Sequence, residues 1–264
     1  MNADDLALVT EAAREAGELA LTLRRQGLAT EYKSGDNSPV TNADLAVDRL
    51  LTERLRAARP DYGWLSEETA DDADRLTRRR LFVVDPIDGT HAYLKDRPWW
   101  SVSIAIVDAD RSVAGVVFAP DLDQLFAAAD GQGATLNGAA IRASETSALA
   151  DCRMIADQRM FDHPAWPERW PAMRVEPRNS TALRMALVAS GEFDATLTIA
   201  PKSDWDVAGG DLIAREAGCV VCDHFGAAYR YNREHPSQRS LVCAAPGMAP
   251  LIMARVQHIG ARSG

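Results

Sequence analysis

Apolar residues recur at alternating spacings of three and four near the amino terminus, at Leu6, Val9, Ala13, Ala16, Ala20 and Leu23. That spacing lines one face of a helix and predicts one over residues 4–25, punctuated by Gly27. A second face, Leu45, Val47, Leu50, Leu51 and Leu55, predicts a helix over 43–57, opened by Thr41-Asn42 and closed by Pro60. Residues 31–44 between them are dense in turn formers and read as a polar loop. The rhythm then changes. Residues 62–65, 81–84, 100–107, 112–119, 125–129 and 134–136 read as strands in a mostly antiparallel pattern, with turns at 108–111 and at Asn137-Gly138. A charged linker, 71–80, precedes the second of these strands; its Arg78-Arg79-Arg80 run reads as a solvated face. After a boundary at 145–151, residues 154–156, 220–222 and 240–244 read as strands. Residues 180–190, 202–217 and 246–256 read as helices, and 163–171 as an irregular lid or rim. Strands in two tracts with helices between them predict a layered α/β (α+β) sandwich, with an amino-terminal lobe over 1–145 and a carboxy-terminal lobe over 146–264.

Composition narrows the functions. The 264 residues are 47% hydrophobic and 25% charged, ordinary for a globular protein, with a net charge of -9 and a pI of about 5.1. That balance argues against broad binding of polymeric nucleic acid, but a small phosphorylated ligand remains compatible, because a local cation reverses the field inside a cleft. No hydrophobic targeting core follows Met1, and no apolar run reaches membrane-spanning length, so a cytoplasmic protein without a membrane partner is expected. Cys219-Val-Val-Cys222 has redox or zinc spacing, yet it sits in a strand-like run with no second close pair. Reduced structural thiols are expected.

Candidate chemistry gathers at Leu81-Phe-Val-Val-Asp85-Pro86-Ile87-Asp88-Gly89-Thr90, where an apolar strand runs into two carboxylates, a glycine and a hydroxyl. Carboxylates at the end of a buried strand are costly unless a positive group sits there, and a hard divalent cation such as Mg²⁺ prefers oxygen ligands. Asp44 near a helix start, Glu67 after a short strand and Asp206 at another helix start share this kind of setting. Each is otherwise readable as a helix cap or a surface residue. Together they have the density that a two-metal phosphatase needs.

These residues resemble the inositol monophosphatase-like family of metal-dependent, lithium-sensitive phosphatases, and nearest among them the bacterial 3'(2'),5'-bisphosphate nucleotidase (CysQ-type) branch. The resemblance rests on Asp85-Pro-Ile-Asp-Gly-Thr90, preceded by Ser66-Glu-Glu68 and followed by Trp205-Asp206, with Lys33 and Ser38-Pro-Val-Thr-x-Ala-Asp44 matching the amino-terminal loop. It implies an α-β-α-β-α sandwich of the inositol monophosphatase/fructose-1,6-bisphosphatase type. It implies that Glu67, Asp85 and the Ile87 carbonyl bind one Mg²⁺ and that Asp85, Asp88 and Asp206 bind a second, with Glu67 helping to hold a third through water. Thr90, supported by Asp44, would orient or activate the attacking water, so Asp44, Glu67 and Thr90 are the catalytic candidates. Asp88 and the amides around Gly89 and Thr90 would receive the phosphate. Lys33 is read as near the metal loop or simply exposed, His91 as a rim or packing residue, and Asp204 as a cap or substrate-side residue.

The expected reaction is Mg²⁺-dependent hydrolysis of a phosphomonoester, with the 3'-phosphate of adenosine 3',5'-bisphosphate as first substrate. Inositol monophosphate, histidinol phosphate or a sugar phosphate are the alternatives, and a non-catalytic phosphate-binding regulator is the alternative of a different kind. Ser180, Arg184, Glu192 and Asp206 are the candidate substrate residues. Arg178 and Arg184 offer bidentate contacts to a second phosphate or else stand on a helix surface. Trp166 and Trp170 either cover a base or pack structurally. The expected partner is a small phosphorylated substrate, and the chain is a monomer or a homodimer.

Overall fold

In the computed structural model, which describes residues 3–33, 37–164 and 166–259, five layers follow from these two periodicities. Helix α1 (Ala3–Gln26) buries Val9, Ala12, Ala13, Ala16 and Ala20. A hairpin of β1 (Thr30–Tyr32) and β2 (Pro39–Thr41) then leads into α2 (Asn42–Ala58). The Thr41 hydroxyl accepts from the Ala43 and Asp44 amides, and the Asp44 carboxylate accepts from the Thr41 amide. This capping box satisfies donors that a helix start leaves open.

Seven strands form the first sheet, in sequence order across it: β3 (Gly63–Ser66), β4 (Arg80–Asp88), β5 (Ser101–Asp108), β6 (Arg111–Ala119), β7 (Gln124–Ala129), β8 (Ala134–Leu136) and β9 (Ala139–Ile141). β3 and β4 are parallel, and the other pairs are antiparallel. A five-residue helix, α3 (Thr90–Leu94), follows β4. The second half contains β10 (Arg153–Ile155), α4 (Gln158–Phe161), β11 (Arg174–Glu176), α5 (Thr181–Ala189), β12 (Ala195–Thr198), β13 (Lys202–Ser203), α6 (Asp204–Glu216), β14 (Val220–Cys222), β15 (Ser237–Gln238), β16 (Leu241–Ala244) and α7 (Ala249–Val256). Its five-stranded sheet has the order β11-β10-β12-β16-β14, and β13 pairs with β15.

Side-chain alternation sorts the strands into three cores. On β4, Phe82 and Val84 face the core shared with α1 and α2, whereas Leu81 and Val83 face the one that contains α5 and α6. On β16, Leu241 and Cys243 face that same middle core, and Val242 and Ala244 face an outer core with α7. Helices α5 and α6 thus lie between the two sheets, completing an α-β-α-β-α sandwich. Close approach explains one glycine pair: a Cβ on Gly115 of β6 would lie 2.9 Å from the Gly209 carbonyl of α6.

The structure corrects several sequence expectations. Leu45 is 49% exposed and does not belong to the packing face of α2. The polar loop contains the β1–β2 hairpin; its residues 34–36 lie outside the described residues, as does Ala165 in the irregular segment. In the charged linker, Arg75 is buried in a 3-10 helix, Ala73–Thr77, and bonds Asp71, Asn232 and the Arg233 carbonyl. Strands of two or three residues, including β9, β11, β13 and β15, are too short to show a period. All four cysteines are free and buried.

Candidate active site

Asp85 and Asp88 are three positions apart, so a regular strand would point them to opposite faces. The pairing of β4 with β5 slips between Asp85 and Asp88, across Pro86 and Ile87. Pro86 has no N–H to give the ladder, which favours such an irregularity. Asp85, Asp88 and Asp206 each bring a carboxylate oxygen to a cluster whose members lie within 4.8 Å of one another. Asp206 arrives from the first turn of α6, where one of its oxygens accepts from the Ser203 amide at 3.1 Å.

This cluster is electrostatically unfinished. Asp85 is buried, and its Oδ1 has no hydrogen-bond partner among the described residues. Burial first, then the charges of Glu67, Asp88 and Asp206, raise its pKa well above the ordinary carboxylate range. Asp206 is pushed up to about 7 by burial, with Lys202 opposing and Asp88 and Glu67 adding. The Lys202 ammonium stands 3.9 Å from Asp206. Burial also raises Asp88, opposed by the Ser180 hydroxyl and the Ala182 and Thr181 amides. An all-oxygen, negatively charged donor set with an orphaned buried oxygen suits a hard divalent cation.

Around it, Thr90 Oγ1 lies 3.3 Å from Asp44 Oδ1 and 3.2 Å from the Ile87 carbonyl, two acceptors for one hydroxyl proton. Asp44 therefore serves as a helix cap and faces Thr90 with its other oxygen; burial raises its pKa. Gly89 precedes α3 at φ +94, where only glycine sits without strain, and a Cβ there would meet the Trp99 carbonyl and the Ser180 amide at 3.0 Å. Glu67 is not one of the three clustered carboxylates. Its Oε1 accepts from Lys33 Nζ at 2.8 Å, and Glu68 accepts from the same ammonium at 2.9 Å. Burial pushes the Glu68 carboxyl up to about 7.

Three expectations about substrate residues change, and of the two readings of Trp166 and Trp170 packing holds. Ser180 is fully buried and bonded to Asp88, Leu183 and Ser101, which leaves no hydroxyl face for a substrate. Arg184 is buried on α5, with Nη2 at 3.3 Å from Thr181 Oγ1, and burial lowers its pKa against the opposing charges of Asp88 and Asp206. Glu192 is exposed beyond the far end of α5, which at nine residues is about 13 Å long, whereas the near end meets Asp88. Trp166 and Trp170 pack against each other, with Phe161 on Trp170, in the outer core beneath α7, away from the cluster. Asp204 also differs from expectation: it is wholly buried, accepts from Gln238, and lies behind the site. Arg178 lies over the Trp99 ring at 4.3 Å and pairs with Glu176.

Sequence reasoning missed Glu68 and Ser101 as neighbours of the site, and Lys202, read as part of a pocket-shaping loop, as the cation beside Asp206. The Glu67-Glu68 doublet and the Lys202-to-Asp206 helix-start spacing were the available signals; Ser101 had none, because only the strand slip brings it opposite Asp88.

The fold and site define a class: a five-layer α/β sandwich with a candidate cation site between its two sheets. The profile of the inositol monophosphatase family matches residues 2–261. The chain is similar to the Nus factor SuhB of Pasteurella multocida (strain Pm70), 33% identical over 266 residues that cover 96% of this chain and 95% of that one. It is similar to inositol monophosphatase 2 of Solanum lycopersicum, 33% identical over 231 residues covering 83% and 87%. Among solved structures, the Thermotoga maritima IMPase matches with a TM-score of 0.85 at 27% identity, covering 99% of this chain and all of that one. The chain belongs to the inositol monophosphatase family.

Proposed function

We propose that this protein is an Mg²⁺-dependent phosphomonoester hydrolase whose cation site is built on Asp85, Asp88 and Asp206. The observation that carries the reading is the buried, unpartnered Oδ1 of Asp85 inside a cluster of three carboxylates. Glu67, whose Oε1 is bonded to Lys33, and the Ile87 carbonyl would complete the donor set, and Glu67 would also help to hold a third ion. A bound divalent cation would supply charge for the phosphoryl oxygens and lower the pKa of a water. The chain's own part is to place the reactants. Thr90 Oγ1 donates its proton to Asp44 Oδ1, so its lone pair is free to accept from the attacking water. The amides of Gly89 and Thr90, at the start of α3 where a helix leaves its first N–H groups open, face the phosphoryl group. Burial of the carboxylates excludes bulk water and strengthens each of these interactions.

The leaving alcohol is proposed to be a polyol, with an inositol monophosphate first. The tomato relative supports this, as does the state of Arg184, which is internal and does not present itself to a second phosphate. The second reading, removal of the 3'-phosphate of adenosine 3',5'-bisphosphate, is favoured by Arg178, which lies over the Trp99 ring while the Trp99 backbone lines Gly89. Phosphate release with Mg²⁺ from inositol 1-phosphate, adenosine 3',5'-bisphosphate and histidinol phosphate separates them. Fastest turnover of inositol 1-phosphate is expected. Preference for the bisphosphate moves the substrate to the second reading, and no turnover of any monoester leaves a phosphate-binding regulator.

A further inference from the structure

Two serines that the reading above does not use meet beside Asp88. Ser101 opens β5 and is paired with Asp88 across the strand ladder, and Ser180 caps the start of α5. Both are fully buried, with their hydroxyls 3.0 Å apart. Ser180 Oγ also lies 2.6 Å from Asp88 Oδ2 and accepts from the Leu183 amide at 2.9 Å. We propose that Ser101 and Ser180 form a one-way hydroxyl relay that aims Asp88 at the divalent cation, which makes both of them positioning residues. This rests on the metal reading proposed above.

Counting protons gives the direction. A serine hydroxyl has one proton to donate and two lone pairs. A metal-binding carboxylate is ionised and can only accept, so the single Ser180 proton goes to Asp88. The Leu183 amide takes one Ser180 lone pair, and the other is left for the Ser101 proton. The chain therefore runs from Ser101 to Ser180 to Asp88, and each donor polarises the next. Its end point matters. Asp88 Oδ2 receives both the Ser180 hydroxyl and the Ala182 amide at 2.7 Å, whereas Oδ1 receives only the Thr181 amide at 3.1 Å. The relay loads Oδ2 and leaves Oδ1 the oxygen with capacity for a cation. It also ties the start of α5, which packs in the middle core, to the end of β4, so the rotamer of one ligand depends on contact between the two halves of the chain.

The test is Mg²⁺ affinity, measured by calorimetric titration without substrate on wild type, Ser101→Ala, Ser180→Gly and the double variant. Thermal midpoints are recorded alongside. Glycine is tolerated at an N-cap, and Ser101→Ala leaves every backbone bond of β5 in place. The relay predicts weakening on the order of 10–100-fold for Ser180→Gly, the range seen when a metal ligand loses its supporting hydrogen bond. It predicts about 3–10-fold for Ser101→Ala, and no further loss in the double variant, because Ser101 acts only through Ser180. Turnover by Ser101→Ala recovers at saturating Mg²⁺. Affinity of Ser101→Ala within about twofold of wild type, losses that multiply in the double variant, or turnover that stays low at saturation each overturn the relay. If wild type binds Mg²⁺ and the variants match it, the relay alone fails; if wild type takes up none, the metal reading fails with it.

Discussion

Asp85, at the seam between the sheets, and Asp194, just before β12 at the second sheet, are both buried aspartates furnished in opposite ways. Asp194 accepts from the hydroxyls of Ser144 and Thr146, from the Arg153 amide and from the Arg153 guanidinium. Although burial opposes it, these donors hold its carboxyl down at about 2. Asp85 has an oxygen with no partner, and the nearby charges of Glu67, Asp88 and Asp206 raise its pKa. One site is electrostatically closed and contributes to folding; the other is open, costs the fold stability, and suits a cation from outside the chain. Asp204 shows that an orphaned oxygen alone is insufficient. Among the described residues its Oδ2 is also unpartnered, but it stands outside the carboxylate cluster.

The contrast breaks most visibly by substitution. Asp85→Asn should lower Mg²⁺-dependent phosphate release on the order of 10³-fold, several kcal/mol of lost cation stabilisation, while the metal-free thermal midpoint holds or rises. A variant with both near-normal turnover and a lower midpoint would remove the contrast. Asp194→Ala should do the reverse. It removes the acceptor of the Ser144 and Thr146 hydroxyls and of the Arg153 amide and should cost about 3 kcal/mol, on the order of 6–12 °C in Tm for a chain of this size, with turnover per folded molecule retained. Denaturant melts paired with initial rates check both outcomes.

The two regions should also respond to pH with opposite sign. Asp194 titrates lower when folded, so its contribution is present above the unfolded value of 3.8 and is lost as pH falls towards about 2. Asp206 titrates higher when folded, so the metal-free protein holds extra protons between about 4 and 7 and loses stability as pH rises through that window. Saturating Mg²⁺ should offset that second loss, by about 2.7 kcal/mol at a hundredfold excess over Kd. Thermal midpoints across pH 2–8, with and without Mg²⁺, measure it; a rise in metal-free stability from pH 4 to 7 would sink the assignment. The smallest effect is expected at Cys222, a buried free thiol that burial pushes up to about 11 and that lies far from thiolate reactivity. Cys222→Ser should leave turnover nearly unchanged, and a large loss in a folded variant would revive a thiol mechanism.

Much of the layer order was legible because the α1 face, the alternation on β4 and the long strands β5 and β6 repeat their periods several times. The acidic positions were legible as candidates because charge at the end of an apolar strand has few ordinary explanations. Long-range placement was not. Nothing local to Glu192 says that α5 carries it away from Asp88, and nothing local to Trp166 or Trp170 says which face of the second sheet they cover. Ser101 and Ser180 are 79 residues apart and acquire meaning only where their hydroxyls meet. The strand slip that turns Asp85 and Asp88 to one side is a tertiary fact, for which Pro86 is only a hint.

The open cluster around Asp85 is proposed to hold a divalent cation. Calorimetric titration of Mg²⁺ into wild type and Asp85→Asn, at one pH and without substrate, tests it most directly. Saturable binding to wild type is expected, lost in the variant, while Asp194→Ala, kept below its melting temperature, binds as wild type does. Equal Mg²⁺ affinity in wild type and Asp85→Asn would contradict it.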